Sequence, residues 1–209
     1  MCHILLRGGW MMIPIALCSL VSVSIIIERY FFFRHIRVTN QTEEAIGLVR
    51  EGRVEEALGI TDGMRGELPV MRVLSAGISH SLESAGAMEA AAATEISAMK
   101  RGLTALDTII TLSPLLGLLG TIVGMINAFN IMATAGLGQP HAVTGGVAEA
   151  LVCTAAGISV AAVTLVPYNY FLSRVERETD VIETTATRLE LAMSAPVAVR
   201  PEAVLCGEH

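Results

Sequence analysis

Charge is missing from three long stretches of this 209-residue chain, and that pattern of gaps limits the fold more than any motif does. No Asp, Glu, Lys or Arg stands between Arg7 and Glu28, between Asp107 and Glu149, or between Glu149 and Arg174. A helix needs roughly 20 apolar residues to cross a hydrocarbon core about 30 Å thick, and each gap is long enough. Inside a bilayer the backbone must satisfy its own hydrogen bonds, which a helix does within one segment. The stretch "TAGLGQPHAVTGG", Thr134 to Gly146, is rich in glycine with a proline and is expected to part the second gap from the third. Spans are therefore expected at about 10–27, 109–133 and 146–172. The composition agrees: 53% of residues are hydrophobic, only 16% are charged, and the mean hydropathy is +0.60. The expected fold class is all-α, an integral membrane protein with three transmembrane helices and long helices extending into the cytoplasm.

The first span is expected to be retained. Its apolar run is too long for a cleaved signal, and "ERYFFFRHIR" follows it where a small-residue cleavage site would stand. That aromatic and basic segment has the composition of an interfacial anchor. Arg29, Arg34 and Arg37 follow the first span, Lys100 and Arg101 precede the second, and Arg174, Arg177 and Arg188 follow the third. The positive-inside rule then puts the N-terminus outside, the 38–105 segment in the cytoplasm and the C-terminus inside. The expected organisation is an N-terminal segment with the first span (1–36), a cytoplasmic helical region (37–105) and the second span (106–133). A short periplasmic loop (134–145), the third span (146–173) and a cytoplasmic helix with a flexible tail (174–209) complete it.

Several function classes find no support. The net charge of −6 argues against a nucleic-acid surface. Cys2, Cys18, Cys153 and Cys206 are scattered without metal or redox spacing, and read as small apolar fillers. The histidines are equally dispersed, so neither a metal site nor a cofactor is expected. No nucleophile–base set suggests an enzyme.

Between the first two spans, "QTEEAIGLVREGRVEEALG" (Gln41 to Gly59) has helical apolar spacing, and "DGMRGELP" (Asp62 to Pro69) reads as a turn. A second helical pattern covers about 70–81. A third, alanine-rich, begins near Ser84 and contains no breaker except Gly102, so one long helix is expected to run into the second span. After the third span an amphipathic helix continues, and "SAPVAVRPEAVLCGEH" reads as a frayed tail.

In the second span Pro114, Gly117, Thr121, Gly124 and Ala128 recur at steps of three and four and share one helix face. In the third span Ala150, Thr154, Gly157, Ala161 and Thr164 do the same. Small residues let helices approach closely, and Gly120 with Gly124 forms a GxxxG pair. Helix packing accounts for the glycines and alanines, with Pro114, Gly117, Gly120, Gly124, Gly157 and Ala161 as its expected members. Thr121 and Thr154 each stand near mid-span, where either back-bonding to the preceding turn or the wall of an ion passage would use them. Glu149 lies about 140° around the helix from Thr154, on the side of Val152, Cys153, Ala156 and Val160. A carboxylate at that depth should face other helices or water, as a structural acid or as a flank of the passage.

"LSPLLGLLGTIVGMINAF" followed by "GGVAEALVCTAAGISVAA" and "PYN" resembles the paired signature of the MotA/TolQ/ExbB proton channel family, most of all its ExbB branch. "GGWMMIPIALCSLVSVSIIIERY", "GRVEEALGI…GELPVMRVLSAGI" and "KRGLTALDTIITLSPLLGLLGT" extend the resemblance over about residues 8–190. The resemblance implies a homopentamer whose second and third spans surround a pore. It also implies a single-span ExbD/TolR-like subunit whose intramembrane aspartate passes the protons, a TonB-like protein that carries work to the outer membrane, and contact with membrane lipid. By position Thr121 and Thr154 match the family's pore threonines, and Glu149 matches the glutamate of its "GIAEAL" motif; these are the ion-pathway candidates. One departure is Val163 where relatives have the proline of "AIP"; Pro167 stands four residues on, so any kink should move about one turn toward the cytoplasm. No outer domain is expected before the first span.

The function implied is an inner-membrane subunit of a proton-driven motor that energises TonB-dependent outer-membrane import. A TolQ-like envelope or gliding motor shares the signature. A flagellar MotA stator fits less well, having four spans. From another class, a non-conducting membrane scaffold is compatible with the small-residue stripes alone.

Overall fold

The computed structural model describes residues 9–35, 41–63, 68–135 and 140–194. The chain is all-α: among the described residues every regular element is helical. The helices are α1 (Met12–His35), α2 (Gln41–Arg50), α3 (Val54–Gly63), α4 (Pro69–Ser79), α5 (Ser84–Lys100), α6 (Leu103–Ala135) and α7 (Pro140–Ser194), with a 3₁₀ turn at Ser81–Glu83. Three helical stretches are long and apolar enough to cross a membrane, Met12–Arg34, Ser84–Ala133 and Thr144–Ser194. The protein is thus a three-span membrane protein.

Among the described residues two compact units form, one within 9–33 and 100–174, the other within 34–99 and 175–194. In the first, α1 packs beside the start of α7 in the same direction. Met12 and Ile15 meet Cys153 near one end, and Phe33 stacks on Phe171 at 5.7 Å near the other. Helix α6 runs antiparallel to both, since Gly120 lies near Met11 while Gly102 lies near Ile25. Buried α6 positions Leu103, Leu106, Ile109, Ser113, Gly117, Gly120, Gly124 and Ala128 keep the three-and-four spacing of a single face.

The second unit is a small helical cluster in which α2 packs on α3 and α3 on α4. α4 is its centre: Val70, Met71, Val73, Leu74 and Ile78 are all buried. Gly77 permits the approach, because a Cβ there would meet Met88 Cγ and Sδ at 2.6 Å. Polar contacts also tie the cluster. Ser75 donates to Asp62 at 2.7 Å, and the Arg72 guanidinium donates to both Glu95 oxygens at 2.8 and 2.9 Å.

Three expectations about continuity are corrected. The Gln41–Gly59 pattern is two helices: Gly52 adopts φ +77°, its N–H donates to Val49 O at 3.0 Å, and Arg53 N–H donates to Leu48 O at 2.9 Å. That pair of bonds is a Schellman stop, which needs a left-handed residue. The helix from Ser84 into the second span is also broken, at Gly102 with φ +81°. The loop expected at 134–145 is shorter, because α6 runs to Ala135 and α7 begins at Pro140. A first helical position tolerates proline, whose N–H would be unsatisfied there anyway. Helix α7 continues through Pro167 without interruption. Cys2, Cys206 and the tail from 195 lie outside the described residues.

Candidate functional site

The α6–α7 crossing is where backbone approaches backbone. A Cβ on Gly117 would stand 3.1 Å from Thr154 Cα, and one on Gly124 would stand 3.0 Å from Ala150 Cβ. A Cβ on Gly157 would overlap Ser113 O and stand 3.1 Å from Gly117 Cα. Gly146 faces Ala128, and Gly120 faces Cys153, whose Sγ fills the place of the missing side chain. Gly117, Gly120, Gly124 and Gly157 therefore bring the second and third spans into direct contact. A Cβ at Gly120 or Gly157 would come closer than real Cβ atoms do, and one at Gly117 or Gly124 closer than most, so larger residues there would strain the crossing.

Some of the other stripe members lie at the margin. Pro114, Thr121 and Ala161 are half-buried, while Ser113 is fully buried in their stead on α6. The Thr121 hydroxyl donates to Leu118 O at 2.6 Å, on its own preceding turn. Thr154 behaves differently: its hydroxyl donates to Gly117 O on α6 at 3.0 Å, across the crossing. Thr164, fully buried, donates to Val160 O at 2.7 Å. Ser113 Oγ is buried and has no hydrogen-bond partner among the described residues.

Glu149 is half-buried on another side of α7, with its carboxylate seated against Gly9 before the start of α1. Farther along that side Cys153, Ala156 and Val160 pack with Met11, Met12 and Ile15. The third span thus presents Thr154 and Gly157 to the second span, and Glu149 and Ala156 to the first. Cys153 serves both neighbours as a small filler. Sequence spacing put Glu149 off the threonine face but gave no sign of Gly9, whose signal is only a glycine pair before Trp10. Arg29, at the other end of α1, is 3% exposed; it pairs with Glu28 at 2.7 Å and lies 4.8 Å from the Phe32 ring centroid.

No group of three or more His, Cys, Asp or Glu among the described residues could hold a metal ion. What the geometry offers is a tight helix pair whose threonine hydroxyls, with the Glu149 carboxylate beside them, lie among small and apolar side chains.

Comparison with known proteins adds the rest. Residues 66–184 match the model of the MotA/TolQ/ExbB proton channel family. Two ExbB-like biopolymer transport proteins of Synechocystis sp. are each 34% identical over 196 residues, covering 89% of this chain and 76% and 91% of their own lengths. The Tol-Pal system protein TolQ of Pseudomonas aeruginosa is 37% identical over 92 residues, 44% of this chain and 40% of its own length.

Proposed function

The chain belongs to the MotA/TolQ/ExbB proton channel family, and on that footing we propose that it is the ExbB-like inner-membrane subunit of a proton-driven motor energising TonB-dependent import. The observation that carries the reading is the α6–α7 pair. The family match covers α6 and most of α7, and they alternate close glycine contacts with threonine hydroxyls where a scaffold would need only apolar residues. Similarity to ExbB-like proteins over most of both chains favours this role above the TolQ-like one, whose match covers less than half.

In this reading five copies surround a pore lined by the second and third spans. Thr121 and Thr154 border the ion path, and Glu149 flanks it. Exposed Leu20, Val163 and Val166 provide the apolar outer faces that lipid and neighbouring copies would cover. A single-span ExbD/TolR-like subunit with an intramembrane aspartate occupies the centre, and a TonB-like protein receives the work. The N-terminus lies in the periplasm and the C-terminus in the cytoplasm. Each proton crossing about 100 mV releases roughly 2.3 kcal/mol, enough to drive a conformational cycle in steps.

The experiment is energised uptake in cells whose own copy is replaced. Thr154→Ala and Glu149→Ala should assemble at near wild-type levels and lose uptake. Full uptake by both variants would count against these assignments. If envelope integrity fails while uptake continues, the TolQ-like role takes precedence.

A further inference from the structure

We propose that the furrow between α5 and the later part of α7 is a docking site for a cationic, amphipathic peptide segment, the cytoplasmic flank of the single-span partner. The identity of the partner rests on the proton-channel reading above; the furrow and its charge do not.

Within the helical cluster both helices press on α4. A Cβ on Gly77 would stand 2.6 Å from Met88 Cγ and 3.3 Å from Leu189 Cδ2, so α5 and α7 converge on that glycine. Along the same two helices Ala92, Ala93 and Ala186 are too short to fill the space between them. A furrow of about 540 Å³ remains, with Met88, Ile96 and Ile182 among its apolar walls. A second hollow of about 510 Å³ adjoins it, sharing Ala85 and Glu190. From Ala85 to Ile96 the furrow follows α5 for about 16 Å at 1.5 Å per residue, room for about three turns of a docked helix.

The rim carries one sign of charge. Glu89 stands on the α5 side, Glu183 and Glu190 on the α7 side, and Glu83 at the adjoining hollow, all of them exposed. Among the described residues no lysine or arginine lines either hollow, and no ion pair engages these carboxylates. Arg188, in the same stretch of α7, donates to Glu43 on α2 instead. A trough lined by one sign of charge concentrates the opposite sign. Small apolar walls with acidic edges suit a helix that lays alanine-sized and aliphatic side chains inward and holds Lys or Arg at its margins.

A second copy of this chain matches the furrow less well. Arg53, Arg72 and Arg188 on this unit are already held by Glu56, Glu95 and Glu43, and the whole chain carries a net charge of −6. A single-span partner brings the missing charge, because lysine and arginine gather on the cytoplasmic flank of a span. In the proposed orientation α5 and residues 175–194 lie on that side.

The test uses the full-length chain in lipid nanodiscs and a synthetic peptide copying the cytoplasmic flank of the ExbD/TolR-type partner from the same genome. Wild type should bind the peptide, and more weakly as salt rises. Glu89→Gln, Glu183→Gln and Glu190→Gln combined should weaken binding about tenfold, the scale of three rim charge pairs. As a control of equal charge, Glu44→Gln, Glu55→Gln and Glu176→Gln alter exposed acids that line neither hollow, and together should change binding by less than about twofold. Ala186→Leu keeps helix propensity and all charges while filling the furrow, and should also weaken binding about tenfold. A photo-crosslinking residue at position 187 should join the chain to the partner in the assembled complex.

Equal losses in the two triple variants, or full binding by Ala186→Leu, would overturn the furrow as the site. Adducts between two copies of the chain would give the furrow to a second copy and overturn the partner assignment. A complex that conducts protons while its partner forms no adduct there would overturn this inference and leave the channel reading standing. Furrow-dependent peptide binding by a chain that passes no protons with the partner would uphold the docking site and tell against the channel reading.

Discussion

Thr154 joins two spans through one hydroxyl, 3.0 Å from Gly117 O. Replacing it with valine should cost about 1 kcal/mol, the usual size of an interhelical bond in a membrane. Serine should restore it, as measured by unfolding in mixed micelles. Ser113 is the opposite case. Its buried hydroxyl satisfies nothing, so Ser113→Ala should be neutral or slightly stabilising; lost proton flux in that stable variant would show that the hydroxyl serves the passage. Outside the spans, Arg72 covers Glu95, whose side chain is 11% exposed. Arg72→Ala strands that carboxylate and should cost about 2 kcal/mol, below the 3–5 kcal/mol of a fully buried pair because Arg72 itself is 41% exposed. The threonines and Glu149 were legible in the sequence because spacing assigns a face. The Gly9 contact was not, since the two residues are separated by most of the chain and no local pattern links them.

Among the helices, the spans could be read directly from where charge is absent, for lipid tolerates little else. The breaks were harder. Gly52 and Gly102 sit inside good helical patterns, and only their positive φ shows that the chain turns there. Gly102→Ala should therefore cost about 1–2 kcal/mol for the left-handed conformation alone. Its Cβ would also stand 3.1 Å from Ile25 Cγ2, so a lowered melting temperature is the expected readout. Pro140 misled in the other direction: a breaker inside a run is a good starter at its edge. Helix α2 is joined to the later part of α7 by Arg188 donating to Glu43 at 2.6 Å. That hydrogen bond and the guanidinium charge hold the Glu43 pKa below its ordinary 4.5. A depressed carboxylate stabilises the fold above its unfolded pKa and stops doing so as pH falls through the folded value. Glu43→Gln should thus melt slightly below wild type at neutral pH, and the difference should vanish under acid conditions; high salt should shrink it too, since the pair is exposed.

The whole molecule comprises a largely apolar three-span unit and a helical cluster tied by ion pairs. Fold and family follow from features that are dense in the sequence: charge gaps, small-residue stripes and the paired signature. Partner, stoichiometry and direction of work involve surfaces that a single chain leaves uncovered, such as Leu115 and Val166, which are 61% and 72% exposed. The central claim is that these surfaces meet copies and a single-span partner to conduct protons. The most direct test is proton flux into proteoliposomes under an imposed membrane potential, with the chain and an ExbD/TolR-type partner reconstituted together. Flux should require both proteins and fall to background in Thr154→Ala. An assembled wild-type complex that passes no protons under that potential would contradict it.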